Sequence, residues 1–487
     1  MNILISTIFG IDSYSRGIMP DLLQSMIDEN PSAKIFYLTN SHSFDICYFN
    51  IEKKHEVCYR CTTGIKNTLK LVEGKFTHLK IKDIVTREDK DAAEAFFIDK
   101  PIIEFEHTYE NFEVGAATIS TYISRTRDRE LENVDQAFVK ELAVNALSLY
   151  LGMKRFLKKE NIDLVYNFNG RHEYVRAVMK AAIANKIDCY NVERARTEGY
   201  IEYFKNVLPH NILNKKSAVE DFWEKSPLSL EEKEKTGANF FSRQKSGESI
   251  IFPSFTRKMT LGNTPEIAMN GNKNIVVFSS SDDELAALGE EFKNPFFKDQ
   301  LEGLQYLAHL VGEQLKEYNL IIRMHPNLAG VKKGFVNGIK ELHLSYPNVS
   351  VVFPESNVDS YALMDLANKI VSFGSTTGLE ANFKRLPVIL LGKSFYFYSD
   401  VAHIPRDRSQ ILELLKEDLK PRPLLDTLKF GFYYISGGKK AKYYYEGNDV
   451  NGIFFKGHRV HNFTLLQRIK AKIIQLAYHK LNLRLYF

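Results

Sequence analysis

The 487-residue sequence has little of what marks secreted or membrane-spanning proteins. Four cysteines are too few to form a disulfide framework in a chain of this length. No stretch of about 18 apolar residues is present, so the sequence predicts no transmembrane helix. The first residues, MNILISTIFGIDSYSRG, lack the basic stretch and the long apolar run of a signal peptide. We therefore expect a cytoplasmic protein whose thiols stay reduced.

A strong excess of one charge is also missing. The 65 Lys and Arg residues nearly balance the 60 Asp and Glu residues, and the formal net charge is +5. This charge is too small to indicate a nucleic-acid-binding protein, but it suits an acidic small molecule or an anionic surface. Hydrophobic residues make up 44% of the chain and charged residues 26%, which is typical of domains with ordinary buried cores.

In the N-terminal half, short apolar runs alternate with amphipathic stretches of helical periodicity. This β-loop-α-β order predicts a parallel sheet covered by helices. The predicted strands are residues 2–9, 33–38, 162–169 and 188–193. Residues 225–272 lack strand periodicity and are rich in Pro, Ser, Lys and Glu, so the domain boundary is placed there. We assign residues 1–235 to an N-terminal Rossmann-like domain and residues 236–272 to a linker.

The same alternation begins again after the linker. The predicted strands are residues 274–281, 319–325, 348–353, 369–374 and 386–392. We assign residues 273–415 to a C-terminal Rossmann-like domain and residues 416–487 to a tail. The expected fold is therefore α/β, with two Rossmann-like domains facing a cleft and a helical tail. Open parallel sheets bind ligands at the carboxyl ends of their strands, so the site is expected in that cleft.

The segment SFGSTTGLEANFKRLPVILLG, residues 372–392, carries the strongest motif. A strand ends at Gly374, and Ser375, Thr376 and Thr377 lead into a helix. Exposed N–H groups and the positive end of the helix dipole form an anion site at such a place. Glu380, one turn further, is placed to accept from a ribose hydroxyl. An ordinary helix cap is the alternative.

A second motif is Arg323–Met324–His325–Pro326, at the end of a predicted strand. Arg323 offers a fixed fork of donors for a phosphate, and His325 can donate to a phosphate oxygen or a leaving group. Taken alone, the motif is weak, and a capping histidine is the favoured explanation. Its position about fifty residues before the Ser/Thr segment, within one α/β unit, favours a shared site.

Together the two motifs resemble the nucleotide-binding lobe of GT-B glycosyltransferases. In particular they resemble the transferases of capsule and lipopolysaccharide biosynthesis, including the Kdo- and sialic-acid-transferring groups with a His-Pro motif. The resemblance covers about residues 275–395 and implies that donor phosphate is held by a set of side chains in this lobe. That set is Arg323, His325, Ser375, Thr376 and Thr377, with Glu380 as a looser match.

Other polar residues follow predicted strands. An inverting transferase needs one carboxylate or histidine to remove the proton of the acceptor hydroxyl. Asp12, His172 and Glu193 are the candidates, although a capping or structural role explains each of them too. Ser279 and Ser280, in the SSSDDE run at 279–284, are candidates for the donor side, with a solvated helix cap as the alternative.

Two patterns bear on metals. Cys47, Cys58 and Cys61, with a nearby histidine, resemble an incomplete zinc set, and structural thiols are the favoured interpretation. Asp89–Lys90–Asp91 has the D-x-D spacing of metal-dependent transferases, but it lies in the charged helical run TREDKDAAEA and suits a solvated face. We expect no catalytic metal and no cofactor, with the nucleotide-sugar acting as substrate.

The tail is basic and periodically apolar. Residues 450–487 contain seven Lys or Arg residues and no Asp or Glu. Leu466, Ile469, Ile473 and Leu476 recur at helical spacing, which predicts an amphipathic helix lying on an anionic membrane surface. A helix that packs back onto the N-terminal domain is the alternative.

The sequence favours a glycosyltransferase of capsule or lipopolysaccharide assembly, acting on a glycan or lipid-linked acceptor at the inner face of the membrane. Two alternatives stay open at this point. A nucleotide-sugar 2-epimerase shares the architecture, and a scaffold protein of the same fold would bind no nucleotide.

Overall fold

The structure is a computed structural model that describes residues 1–132, 134–245, 259–281, 286, 288–447 and 452–481. The chain divides into two compact units. Unit 1 comprises Met1–Thr126, Leu131–Pro209 and Gly438–Phe487, and unit 2 comprises Arg127–Glu130 and His210–Gly437. The chain thus leaves unit 1, builds unit 2 and returns.

Strands and helices alternate along most of the chain. The strands are β1 (Asn2–Thr7), β2 (Lys34–Thr39), β3 (Thr77–Lys80), β4 (Leu164–Phe168), β5 (Asp188–Arg194), β6 (Tyr200–Lys205), β7 (Lys273–Phe278), β8 (Tyr318–Arg323), β9 (Val349–Val352), β10 (Lys369–Ser372), β11 (Val388–Leu390), β12 (Lys439–Lys440), β13 (Tyr444–Glu446), β14 (Ile453–Phe455) and β15 (His458–Arg459). The α-helices are α1 (Ser13–Glu29), α2 (His55–Leu69), α3 (Arg87–Phe96), α4 (Val114–Thr126), α5 (Gln136–Lys159), α6 (Glu173–Ala184), α7 (Ile212–Lys225), α8 (Leu230–Lys245), α9 (Gln300–Gln314), α10 (Gly334–Glu341), α11 (Ser360–Asp365), α12 (Thr377–Phe383), α13 (Gln410–Lys416), α14 (Leu424–Ser436) and α15 (Leu465–Leu481).

Unit 1 is built on a seven-stranded sheet of order β12-β6-β5-β4-β1-β2-β3. The strands from β5 to β3 are parallel, β6 runs antiparallel to β5, and β12 runs antiparallel to β6. Strand β1, inside the sheet, is apolar on both faces, and Ile3, Leu4 and Ile5 are fully buried. This is expected of a parallel strand that helices cover on both sides.

Unit 2 is built on a five-stranded parallel sheet of order β11-β10-β7-β8-β9. Its two faces pack into separate apolar layers, with Ile275 and Val277 in one and Val276 and Phe278 in the other. The predicted fold class is confirmed: the chain is α/β, with two units on parallel sheets and a helix in its C-terminal segment.

The boundaries of unit 2 differ from the predicted ones. It begins at His210 rather than at residue 273, and it continues to Gly437 rather than to residue 415. The reason is the packing of α8 against α14, whose backbones meet at Gly237 and Gly431. A Cβ on Gly431 would lie 2.3 Å from the carbonyl oxygen of Gly237. Residues 246–258 of the predicted linker lie outside the described residues.

The C-terminal segment packs on unit 1, as one of the two hypotheses for the tail predicted. Strand β12 pairs with β6, and the small β13-β14-β15 sheet covers α1. A Cβ on Gly17 of α1 would lie 2.6 Å from the ring of Tyr444, so this position admits no larger residue without displacement. Helix α15 packs on α2 through Ala471 and Ile474. None of the helices in the described ranges is long and apolar enough to cross a membrane.

Candidate functional site

In unit 2, two serines and a histidine follow three adjacent strands. Ser279 follows β7, His325 follows β8, and Ser375 follows β10, and these three strands are neighbours in the order β10-β7-β8. The backbone N–H of His325 donates to Oγ of Ser279 at 2.9 Å, so these two predicted donor residues meet. The carboxyl edge of this sheet is therefore lined by hydrogen-bonding side chains.

The serines after β7 are held by internal bonds. The N–H and the hydroxyl of Ser280 both donate to Oε1 of Gln300, at 2.8 and 3.2 Å. Arg127 donates to Oγ of Ser281 at 3.3 Å. The rest of the SSSDDE run, residues 282–284, lies outside the described residues. The loop is thus anchored at its start by the first residue of α9.

The Ser/Thr segment turns sharply before α12. Gly374 has φ +101°, in the left-handed region that glycine adopts most easily. The hydroxyl of Tyr396 donates to the carbonyl oxygen of Ser375 at 2.7 Å, and Thr377 donates through Oγ1 to Oγ of Ser375 at 2.9 Å. Thr376 makes no side-chain cap bond to the described residues. The turn is braced by Tyr396 rather than by an ordinary capping side chain.

Glu380 lies one turn into α12 and has a partner on α11. Tyr361 hydrogen-bonds to its carboxylate, and burial together with the Glu380 charge raises the pKa of Tyr361. The predicted contact of Glu380 with a ribose hydroxyl stays a prediction, and it would compete with Tyr361.

Arg323 is buried, and its guanidinium is used within unit 2. Its Nη atoms donate to the carbonyl oxygens of Phe353 at 2.7 Å and Ser356 at 3.4 Å. Burial lowers the pKa of Arg323. The structure therefore gives Arg323 a role that the sequence did not suggest, which is to hold the loop after β9. Its direct contact with a phosphate stays a prediction.

In unit 1, the structure brings two of the three predicted catalytic candidates into electrostatic contact. Asp12 follows β1 and caps α1, accepting from the N–H of Ser15 at 2.6 Å. The surrounding protein desolvates this partly exposed carboxylate and raises its pKa to about 6, against a lowering effect of Arg16. Glu193, near the end of β5, is desolvated too, and the charge of Asp12 contributes to raising its pKa to about 7.

The turn after β4 positions the partner of Glu193. Asn169 has φ +65° and Gly170 has φ +83°, so two consecutive residues adopt the left-handed conformation. Nδ2 of Asn169 donates to Oε2 of Glu193 at 2.6 Å. A Cβ on Gly170 would lie 2.5 Å from Oδ1 of Asn191, which explains the glycine. The turn thus fixes one oxygen of a carboxylate whose pKa lies near neutrality.

His172, the third candidate, lies in an aromatic group. Its ring stacks on Tyr48 with centroids 3.9 Å apart, and its Nδ1 lies 3.4 Å from Oγ1 of Thr121. The adjacent Glu173 is fully buried and accepts from the Thr121 hydroxyl at 2.5 Å and the Tyr48 N–H at 2.9 Å. Burial raises the pKa of Glu173 to about 7. Sequence reasoning did not identify Glu173.

A buried ion pair next to Glu193 also escaped sequence reasoning. Arg194 pairs with Glu446 at 2.5 Å, and both side chains are less than a tenth exposed. Tyr14 lies under the Arg194 guanidinium at 5.0 Å, and the Tyr444 hydroxyl donates to Glu446 at 2.6 Å. Arg194 and Glu446 are 252 positions apart, and no local pattern links them.

The residues described include no group of three or more His, Cys, Asp or Glu side chains arranged to hold a metal ion. Burial raises the pKa of Cys58 to about 12 and that of Cys61 to about 11. Burial also raises the pKa of Cys47.

The D-x-D pattern has a structural use that differs from the predicted solvated face. Asp89 is mostly buried, caps α3 by accepting from the Thr86 N–H at 2.8 Å, and pairs with Arg155 at 2.5 Å. Asp91 is exposed and lies 3.8 Å from Arg87. The prediction fails for Asp89 because the first turn of a helix favours a carboxylate that satisfies its free N–H groups.

Comparison with known proteins matches residues 265–413 to the family model described as "Capsule polysaccharide biosynthesis protein". This confirms the predicted resemblance of the C-terminal lobe to capsule-biosynthesis proteins. No curated protein matches the chain.

Solved structures with similarity to this chain include two Kdo transferases and an epimerase. The Thermosulfurimonas dismutans KpsC β-Kdo 2,4 transferase is 13% identical, covering 65% of this chain and 88% of its own, with a TM-score of 0.39. The β-Kdo 2,7 transferase of the same protein is 14% identical, covering 66% and 89%, with a TM-score of 0.33. The UDP-GlcNAc 2-epimerase from Neisseria meningitidis is 11% identical, covering 96% and 100%, with a TM-score of 0.28. At these TM-scores we draw no conclusion from the similarity.

Proposed function

We propose that this chain is a glycosyltransferase of capsule polysaccharide assembly that moves a sugar from a nucleotide-sugar donor to a glycan or lipid-linked acceptor. The observation that carries the proposal is the match of residues 265–413 to a capsule-biosynthesis family. That segment contains all five strands of the unit 2 sheet and the hydroxyl-bearing loops at its carboxyl edge.

Unit 2 is the donor-binding unit in this proposal. The hydroxyls of Ser375 and Thr377 and the imidazole of His325 are hydrogen-bonding groups that suit phosphate oxygens. Stabilising the departing phosphate is the main electrostatic demand of sugar transfer. Arg323 supports this edge indirectly, because it holds the loop at Phe353 and Ser356.

Unit 1 supplies the base. A general base works best when its pKa is close to the working pH, and the pKa of Glu193 is raised to about 7. Asn169 holds one of its oxygens, and the charge of Asp12 helps to keep the pKa high. We assign the removal of the acceptor proton to Glu193 and a tuning role to Asp12.

Nucleotide binding is the first test. Thermal shifts and calorimetry with UDP-, GDP-, CMP- and CDP-linked sugars should show one class that stabilises the protein, by about 2.7 kcal/mol at a hundred times its Kd. His325→Ala should weaken that binding at least about tenfold, because a phosphate contact is lost. His343→Ala, at an exposed histidine of the same unit, is the matched control. A chain that binds no nucleotide would be a scaffold, and the proposal would fail.

Incubation of the identified donor without acceptor separates transfer from epimerisation. A transferase leaves the donor sugar unchanged or hydrolyses it slowly, whereas a 2-epimerase interconverts the two C2 epimers. Proton NMR of the sugar ring distinguishes these products. Epimerisation at C2 without acceptor would replace the proposed function by the epimerase alternative.

We also propose that transfer needs no divalent metal. The D-x-D pair is a poor metal ligand set here, because Asp89 caps α3 and pairs with Arg155. Turnover should persist in excess EDTA. Loss of turnover that manganese or magnesium restores would show a metal-dependent mechanism.

A further inference from the structure

Helix α15 has two apolar faces, and only one of them is covered by unit 1. Ala471, Ile474 and Ala477 are buried, and the first two pack on Tyr59 of α2. The second face consists of five large side chains that are between 46% and 78% exposed. These are Leu465, Leu466, Ile469, Ile473 and Leu476, which we call the outer face of α15.

The outer face is continuous along the helix. Leu466, Ile469, Ile473 and Leu476 follow one another at intervals of three or four positions, and Leu465 lies four positions before Ile469, so all five lie along one side of α15. At 3.6 residues per turn its centre lies roughly 130° from the centre of the buried face. Packing on α2 therefore leaves the outer face uncovered by the described residues. Five large apolar side chains in one exposed stripe are unusual on a soluble surface and mark an interaction site.

Basic residues border this stripe. Arg468 and Lys472 are exposed on one side of it, and Lys470 lies on the other side, at 5.5 Å over the ring of Tyr59. Residues 450–487 contain no Asp or Glu that would offset these charges. The chemistry presented is thus an apolar stripe with positive edges, which complements an anionic, partly apolar surface.

We propose that the outer face of α15 docks the protein on an anionic lipid bilayer. The helix lies in the plane of the interface, with its leucines and isoleucines in the headgroup and upper acyl region. Arg468 and Lys472 contact lipid phosphates. The inference goes beyond the proposed sugar transfer and does not depend on it, because it concerns a face of unit 1 that the chemistry does not use.

A second copy of the chain is a less suitable occupant. In a two-fold contact the same patch meets itself, so Arg468 and Lys472 would face the basic residues of the other copy. The stripe has no acidic residue to pair with them. An anionic bilayer satisfies both the apolar stripe and its charged borders.

Vesicle cosedimentation of the full chain tests the proposal. We expect binding to phosphatidylcholine vesicles that contain about one-third phosphatidylglycerol, and each basic residue near the surface should contribute about fivefold. Binding should weaken as the salt rises from about 0.05 to about 0.5 M. Equal binding to pure phosphatidylcholine vesicles, or no binding to either, would overturn the proposal.

Variants localise the binding to the outer face. The triple variant Leu466→Gln, Ile469→Gln and Ile473→Gln should lower the partition coefficient at least about tenfold, with an unchanged melting temperature. The control is Leu261→Gln with Leu344→Gln, which removes leucines that are 94% and 75% exposed in unit 2. A triple variant that sediments like the wild type would overturn the proposal. So would a dimer in solution that only the triple variant loses, because the occupant would then be a second copy.

Discussion

The two sheets of this protein share a topology but differ in the chemistry at their carboxyl edges. Unit 2 presents serine and threonine hydroxyls and His325, tied by hydrogen bonds within the edge. Unit 1 presents carboxylates whose pKa values are raised to about 6 at Asp12 and about 7 at Glu193. The first edge suits the binding of an anion, and the second suits proton transfer. Loops grafted on similar strands therefore decide what each unit does.

The units also differ in which parts of the chain complete their folds. Unit 2 is completed by helices that precede and follow its sheet strands in the sequence, and α8 packs on α14 at Gly237 and Gly431. Unit 1 is completed by a segment from the far end of the sequence, which pairs β12 with β6 and brings Glu446 to Arg194. The stability of unit 1 should therefore depend on the return of the C-terminal segment.

The largest expected effect concerns the base. Glu193→Gln keeps an oxygen that accepts from Asn169 but cannot take a proton, so turnover should fall by about 10² to 10⁴ while nucleotide affinity stays constant. The comparison is Glu202→Gln, at the position paired with Glu193 on β6. Steady-state kinetics at saturating donor measure the effect. If both variants lose turnover equally, Glu193 has no special role.

The second prediction concerns the C-terminal segment that completes unit 1. Glu446→Gln leaves Arg194 buried without its counter-charge, which should lower the free energy of unfolding by about 3–5 kcal/mol. Lys442→Gln, which breaks the partly exposed pair with Asp28, should cost less than about 1 kcal/mol. Urea denaturation with a probe in each unit assigns the loss. A similar cost for the two variants would mean that the buried pair adds no special stability.

Unit 2 should respond to the loss of its buried arginine. Arg323→Ala leaves the carbonyls of Phe353 and Ser356 without their donors, so the unfolding free energy of unit 2 should fall by about 1.5–3 kcal/mol. His325→Ala, two residues further on, should weaken nucleotide binding with a smaller loss of stability. Denaturation measures the loss of stability in both variants, and calorimetry measures their nucleotide affinity. Together they separate a structural role from a direct role in binding. An Arg323→Ala protein of full stability with weakened binding would instead make Arg323 a direct ligand.

The stability of unit 1 should depend on pH through Glu173. Its pKa rises from an ordinary 4.5 to about 7 in the folded state, so the folded state holds its proton more tightly than the unfolded state. This contribution is present below about pH 4.5 and is lost as the pH rises through about 7. Glu173→Gln cannot titrate, so its stability should fall less between pH 5 and pH 8. Parallel curves for the wild type and the variant would place the folded pKa near 4.5.

The smallest effect concerns the coupling of Asp12 to Glu193. Turnover should rise with pH through about 7, because the base acts only when it is ionised. Asp12→Asn removes a charge that raises the pKa of Glu193, and Asn remains a good helix cap. The rising limb of the pH profile should then move to lower pH by a fraction of a unit. An unmoved limb would mean that the two carboxylates do not interact.

Much of the fold could be predicted because parallel strands covered on both faces leave a local apolar signal. The predicted strands at 2–9 and 274–281 overlap β1 and β7, and the helix predicted after the Ser/Thr segment is α12, which begins at Thr377. The boundaries of the two units could not be predicted from this signal. Helices α7 and α8 precede the first strand of the unit 2 sheet and α14 follows its last strand, so only their packing assigns them to unit 2.

The positions of the candidate site residues could also be predicted from the sequence. Residues at the end of a strand in a parallel sheet must lie at its carboxyl edge, so Asp12, Glu193, Ser279 and His325 could be selected without coordinates. The contacts that each side chain makes there could not be predicted. Arg323 follows the same positional logic, yet its donors turn to the loop at Phe353 and Ser356.

Local periodicity by itself determined that this protein is α/β, roughly where most strands of its two large sheets lie, and that its basic tail carries an apolar stripe. Those properties depend on residues a few positions apart. The tertiary structure alone decided that Glu446 returns to Arg194, that Asp12 raises the pKa of Glu193, and that α15 buries Ile474 while its outer face stays exposed. Such contacts join residues that are distant in the chain, and burial and charge interactions act through space rather than along the sequence.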